Sequence, residues 1–215
     1  MSRTSEQALL IFTRNPEPGK CKTRLAATIG DRAALAIYTF LLRHTAALAA
    51  VVPDTDKFVY FSDYLGDGSL WDPAVFRPRL QEGPDLGVRM ERAFDAAFRE
   101  GYQRVVLIGS DLYDLSSADL AIAFKSLKKH PAVIGPATDG GYYLIGLTAP
   151  VPGLFRDKAW GTDTVCSDTL ADLEGMEPAL LPPRNDVDYY EDIAGIPAFE
   201  PFLKDIGTDD DKRTR

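Results

Sequence analysis

The sequence predicts an α/β protein in three layers, with a mainly parallel sheet covered by helices on both faces. Three observations carry this. Short apolar runs of strand length, residues 8–13 and 104–108 among them, recur along the chain. Segments with apolar residues at helical spacing separate them, which is the order of parallel strands joined by crossover helices. The run VVLIG ends at Gly109, with a carboxylate, Asp111, two residues on. Open parallel sheets hold ligands just beyond the carboxyl ends of their strands.

Residues 8–13 (ALLIFT) read as a strand buried on both faces, because the apolar run does not alternate. Residues 14–22, with Pro16, Pro18 and Gly19, read as a loop. From Asp31, the expected N-cap, Leu35, Ile37, Tyr38, Leu41, Leu42 and Leu48 follow helical spacing. Residues 57–61 (KFVYF) are strand-like, and 64–72 form a polar loop. Residues 75–80 read as a short strand, which Pro78 assigns to a sheet edge. Asp85 caps a helix reaching Arg99, with Leu86, Met90, Phe94 and Phe98 on one face. After the strand at 104–108, Ser116 to Asp119 resembles a capping box for a helix to about Lys128. Residues 132–134 and 142–147 are strands, and Asp139-Gly140 between them is a hairpin signal. Residues 162–173 read as a helix, 179–181 as a short strand and 187–193 as a helix start. The strand-rich pattern after Pro131 predicts a small antiparallel lobe at one edge. Residues 1–204 are expected to form one domain, followed by a polar tail at 205–215.

Composition narrows the function classes. The chain has 215 residues, 45% of them hydrophobic, enough for a core without staples. Its 32 acidic and 24 basic residues leave a net charge of −8. That balance excludes a general nucleic-acid binder, and it lacks the polybasic attraction to anionic lipid. Any phosphate binding has to be local. Cys21 and Cys166 make neither a disulfide framework nor a zinc site, and read as free thiols of a reducing compartment. No apolar run reaches membrane-spanning length, and the first, at 8–12, is too short for a signal-peptide core. The expected location is the cytoplasm.

Five constellations carry chemistry. Lys20, Lys22 and Arg24 alternate in the first loop, so an extended backbone would point all three the same way. Such a row suits a diphosphate or triphosphate, and equally an ordinary solvated basic loop. Asp111, directly after a buried strand, is placed to hold a hard cation, whereas Asp114 reads as a loop or cap acceptor. Asp139-Gly140-Gly141 is a turn that also presents a carboxylate. Asp163, beside Trp160, is either a helix cap or a base near an acceptor hydroxyl. Asp186 and Asp188 share a side if extended, and a second carboxylate near Asp111 would complete an oxygen site for Mg²⁺ or Mn²⁺; capping by Asp188 is the alternative. His44 and His130 have no ligand partner nearby in sequence. The chain contains no Walker loop, dinucleotide fingerprint or nucleophile elbow.

Taken in order, PEPGKCKTRLA (16–26), QEGPDLGVRM (81–90), GSDLYDL (109–115), DGGYYLIGL (139–147), WGTDTV (160–165) and DVDYYEDI (186–193) resemble one family. It is the glycosyltransferase family of nucleotide-diphospho-sugar transferase (GT-A-like) fold whose members are labelled radical-SAM/selenodomain-associated or arsenosugar-biosynthesis transferases. The resemblance implies a nucleotide sugar in a cleft and Mg²⁺ or Mn²⁺ on its diphosphate. It assigns Asp111 and Asp188 to the metal, Lys20, Lys22 and Arg24 to the phosphates, and Gln81, Asp85 and Arg89 to the nucleotide side. Asp139 or Asp163 is then the catalytic base if transfer inverts. Tyr113 stands where the family usually has Pro, and Tyr189-Tyr190 where it has Thr-Pro. The expected function is metal-dependent glycosyl transfer from a nucleotide-diphospho-sugar to a small-molecule acceptor. The alternatives are a nucleotidyltransferase on the same fold and a non-catalytic nucleotide-binding protein.

Overall fold

Seven strands form one sheet in the order β3-β2-β1-β4-β6-β5-β7. The structure, a computed structural model, describes residues 3–66 and 68–204. The strands are β1 (Gln7–Thr13), β2 (Asp56–Phe61), β3 (Phe76–Leu80), β4 (Arg104–Ile108), β5 (Ala132–Pro136), β6 (Tyr142–Leu147) and β7 (Ala179–Leu180). The helices are α1 (Thr23–Ile29), α2 (Asp31–Ala50), α3 (Leu86–Arg99), α4 (Ser117–Ser126), α5 (Val165–Asp172) and α6 (Glu200–Leu203). Strands β1 to β4 run parallel, and β7 pairs parallel with β5. Only β6 opposes its neighbours, pairing antiparallel with both β4 and β5. The hairpin is therefore part of the main sheet and not a separate lobe. Its inner strand satisfies the open ladder of β4.

Strand alternation sorts the core into two faces. Leu9 and Ile11 of β1, with Val106 and Ile108 of β4, pack among Tyr38 and Leu42 of α2 and Leu120 and Phe124 of α4. Ala8, Leu10, Val105 and Leu107 face Met90 and Phe94 of α3 and Cys166 of α5. That is the predicted three-layer arrangement. Cys21 and Cys166 are free and buried, one in each layer's core. β3 is the outer strand beside β2, and Pro78 lies on it as a missing donor requires.

Several boundaries differ from the sequence reading. The N-cap of α2 is Gly30, and Asp31 is its first residue. Residues 23–29, left without an element, form α1, whose Leu25 and Ile29 pack with Ile37 and Leu41 of α2. α5 begins at Val165, three residues later than expected. The expected helix start at 187–193 is a single 3₁₀ turn, Tyr190–Asp192. α6 was not foreseen, and the expected tail at 205–215 lies outside the described residues. α2 is long and apolar enough to cross a membrane by length and composition, contrary to the expectation that nothing in the chain is. Ile37, Tyr38, Leu41, Leu42 and Ala49 are nevertheless buried against neighbouring elements, as in a core helix.

The capping box of α4 extends into a tertiary tie. Asp119 accepts from Ser116 N (2.9 Å) and Oγ (2.6 Å) through one oxygen, and from Arg184 (2.7 Å) through the other. Burial opposes its ionisation, but the Ser116 and Arg184 bonds outweigh burial and hold the carboxyl below its ordinary value of 3.8. Asp119→Ala is expected to cost about 1–3 kcal/mol in urea unfolding at pH 7. A depressed folded pKa stabilises above the unfolded value and loses that contribution as pH falls through the folded one. The gap between wild type and variant should therefore narrow below about pH 4, read from unfolding midpoints across pH.

Candidate functional site

The chain leaves β1 for β2 on one side, while β4 lies on the other. This is the switch point where an open sheet leaves a crevice. The loops after β1 (14–22) and β4 (109–116) both leave the sheet there, and a third segment, 184–189, closes in from far along the chain. Val187 N donates to Asp111 O (3.1 Å), and the Val187 side chain is buried. That bond brings Asp186 and Asp188 beside Asp111. One carboxylate oxygen from each of the three lies within 4.8 Å of the others. Gly109 leaves room for this, because a Cβ there would sit 3.0 Å from Asp111 Oδ1.

Lys22 enters the cluster directly. Its Nζ lies 2.8 Å from both Asp111 Oδ2 and Asp188 Oδ1, and its side chain is only 5% exposed. Arg24 NH1 reaches Asp188 Oδ2 at 3.3 Å, and its guanidinium lies 5.5 Å from the centre of the Tyr189 ring. The extended row of cations does not form. Lys22 takes a left-handed backbone (φ 51) at the start of α1, and Arg24 is already helical. Lys20 pairs with Glu17 on the solvent side instead.

Charge state follows from this geometry. Burial disfavours the Lys22 ammonium, but Asp111 and Asp188 more than offset it and raise its pKa. Burial likewise disfavours the Asp111 carboxylate, and Lys22 overcomes that to hold its pKa low. Asp186 has no such partner among the described residues. Burial, then the charges of Asp111, Asp139 and Asp188, push it up to about 6. Three hard oxygen donors with no sulfur or imidazole suit Mg²⁺ or Mn²⁺, so the residues present fit such an ion. His44 and His130 bond to the backbone of Leu115 and Glu177, away from the cluster.

The remaining candidates divide. Asp139 accepts from Gly141 N (2.9 Å) within its turn, and its charge reaches Asp186. Asp163 is exposed and meets that turn through its backbone: a Cβ on Gly140 would fall 2.2 Å from Asp163 O. Gln81 Nε2 donates to Thr13 O and Tyr60 O, each at 3.0 Å, fastening the ends of β1 and β2. Arg89 donates to Gly83 O (2.9 Å) and Gln81 Oε1 (3.4 Å). Asp85 caps α3 through Val88 N (2.9 Å). The hydrogen bonds of these three residues hold the chain between β3 and α3 and include none to the acid cluster.

Sequence reasoning passed over three residues. Asp186 was paired with Asp188 by alternation but not placed in the ion's ligand set. Arg14 is exposed, its charge reaches Asp111, and no carboxylate pairs with it among the described residues. Asp192 accepts from Asp188 N (2.9 Å), Tyr189 N (2.7 Å) and Asn185 Nδ2 (2.6 Å), which locks the segment carrying the acids. Only the run of acids at 186–192 hints at this from sequence.

Residues 43–162 match the family model described as "Uncharacterized protein conserved in bacteria (DUF2064)". The chain belongs to this family. The DUF2064 chain is also similar, at 32% identity and TM-score 0.81, to the crystal structure of a protein from Desulfovibrio desulfuricans G20 provisionally named a nucleotide-diphospho-sugar transferase. That match covers 94% of this chain and 95% of the other. A 4-diphosphocytidyl-2C-methyl-D-erythritol synthase from Anaerococcus prevotii is 10% identical with TM-score 0.57, covering 88% and 93%. A cytidylyltransferase from Leptospira borgpetersenii is 14% identical with TM-score 0.56, covering 86% and 79%. The fold is that of the nucleotide-diphospho-sugar transferases, and the two more distant structures share it. No curated protein matches the chain.

Asp192→Ala is expected to free the 185–189 segment and weaken Mn²⁺ binding about tenfold, since groups that orient ligands carry effects of this size. Titration calorimetry reads the affinity, and unchanged binding would remove Asp192 from the site. Gly140→Ala is expected to cost about 1–3 kcal/mol in unfolding, because the new methyl meets backbone at a left-handed position (φ 91).

Proposed function

We propose that this chain is a metal-dependent glycosyltransferase that moves a sugar from a nucleotide-diphospho-sugar to a small-molecule acceptor. The observation that carries this reading is the convergence of Asp111, Asp186 and Asp188 with Lys22 and Arg24 at the switch point of the sheet. The relative at 32% identity, provisionally named for the same chemistry, supports it.

Asp111 and Asp188, with Asp186 beside them, would hold Mg²⁺ or Mn²⁺. When bound, that ion supplies Lewis-acid neutralisation of the departing nucleoside diphosphate. Arg24 and Arg14 add fixed positive charge where negative charge develops, and Lys20 extends that charge along the exposed limb of the loop. Gln81, Asp85 and Arg89 shape the nucleotide wall by fixing the chain between β3 and α3. If transfer inverts, a base must take the acceptor's proton, and Asp139 is better placed than Asp163 because its charge reaches the acid cluster. If transfer retains, no separate base is needed there. The chain works as one domain over residues 1–204, and its buried free thiols suit the cytoplasm.

A nucleotidyltransferase is the second reading. Arg14 favours it, as a further cation near the cluster suits a triphosphate. One assay separates the two. The protein is incubated with nucleotide sugars and nucleoside triphosphates, with and without Mn²⁺. Nucleoside diphosphate release is expected from the first panel; pyrophosphate release from the second would transfer the assignment to nucleotidyl transfer. Metal-dependent binding without turnover across all donors and acceptors would point to a binding protein. Asp111→Asn should weaken metal-dependent nucleotide binding on the order of 100-fold, measured by calorimetry.

A further inference from the structure

We propose that Lys22 is a built-in counter-ion that keeps the divalent-cation seat closed, so that a cation enters only by displacing the lysine ammonium. The proposal rests on the reading of Asp111, Asp186 and Asp188 as a cation site, and concerns what occupies that site before the ion arrives.

The geometry makes lysine and ion competitors. Lys22 Nζ lies 2.8 Å from Asp111 Oδ2 and 2.8 Å from Asp188 Oδ1, so it bonds to two of the three candidate ligands. An Mg²⁺ or Mn²⁺ bonded to the same two oxygens would lie within about 4 Å of the ammonium, where like charges repel strongly. The Lys22 side chain is nearly enclosed, so its ammonium cannot step aside locally and must leave the cluster for the ion to take those two oxygens. Arg24 differs. It bonds only to Asp188, from a side chain that is 57% exposed, and can swing away into solvent.

The arrangement gives three acids in one partly buried site a fixed counter-charge. Unpaired buried charges are costly, and Lys22 cancels the repulsion that would splay the 184–189 segment from the β4 loop. The same contact weakens cation binding, because the incoming ion must break two charge-assisted hydrogen bonds. The released ammonium emerges beside Arg24, at the mouth where an anionic ligand would sit. A phosphate group that accepts the freed ammonium therefore offsets the displacement, and cation and nucleotide bind with positive coupling.

The test uses the full chain and Mn²⁺ alone, followed by electron paramagnetic resonance. Lys22→Met is expected to bind Mn²⁺ about tenfold more tightly than wild type, as removal of a competing cation predicts. Lys125→Met, which removes an exposed cation of α4 outside the cluster, should leave the affinity unchanged. A second measurement needs no variant. Acylation of lysine amines, read residue by residue by mass spectrometry, should find Lys22 protected in the ion-free protein and labelled several-fold faster with saturating Mg²⁺, with Lys20 labelled equally in both. Faster labelling sustains the proposal even where Lys22→Met fails to fold. Wild type that binds Mn²⁺ while Lys22 stays protected, or a folded Lys22→Met that binds no more tightly, overturns the displacement and leaves the cation site standing. Absence of Mn²⁺ binding in both proteins overturns the displacement and the metal-dependent reading together.

Discussion

Like charges gathered in a partly buried space repel one another and are poorly screened by water, so a cluster of carboxylates survives only where cations stand beside it. Asp111, Asp186 and Asp188 meet that condition through Lys22, and at the margin through Arg24. The ammonium bridges the β4 loop to a segment more than seventy residues later, and α1 holds it there from the amino-terminal side. Three stretches of chain with no local reason to meet are joined by one charge balance. Sheet order supplies the place, because the loops after β1 and β4 leave the sheet side by side at the switch point.

The surroundings of the cluster are built to hold position. Asn15 is buried and accepts from the backbone of Asp63 (3.1 Å) and Tyr64 (3.3 Å), while its amide donates to Tyr64 O (2.9 Å). Gln81 and Arg89 brace the next loop, and Asp192 braces the acidic segment. Each of these side chains satisfies backbone groups that a loop would otherwise leave to water. The loops at the ligand edge are thus ordered by polar side chains, while the apolar layers beneath them fix the strands.

Tyr113 and Tyr189 flank the acid cluster in two different surroundings. Tyr113 lies within the loop that carries Asp111, and its ring packs against Phe199 (5.0 Å), His44 (5.2 Å) and Phe40 (5.9 Å). It thereby ties the loop that carries Asp111 to α2 and to the segment leading into α6. Tyr189 and Tyr190 are exposed, and Tyr189 lies under the Arg24 guanidinium at the mouth of the crevice. The first tyrosine belongs to an aromatic cluster, and the second to the surface beside Arg24.

Local pattern by itself determined the layers. The unalternating runs at 8–13 and 104–108, the capping residues Asp85 and Ser116, and the edge proline Pro78 each act over a few neighbours, and each was legible without coordinates. The candidate status of Asp111 was legible for the same reason, as a carboxylate follows a buried strand directly. Tertiary structure alone decided which partners that carboxylate meets. The left-handed turn at Lys22 broke the row of cations that alternation implied, so Lys22 went inward and Lys20 outward. Asp186 and Asp192 took their places through Val187 bonding to Asp111 and through backbone bonds across the 3₁₀ turn. Strand and helix periodicity are short-range properties of a chain. The balance of charge in a crevice depends on distances between remote segments, and those exist only once the chain has folded.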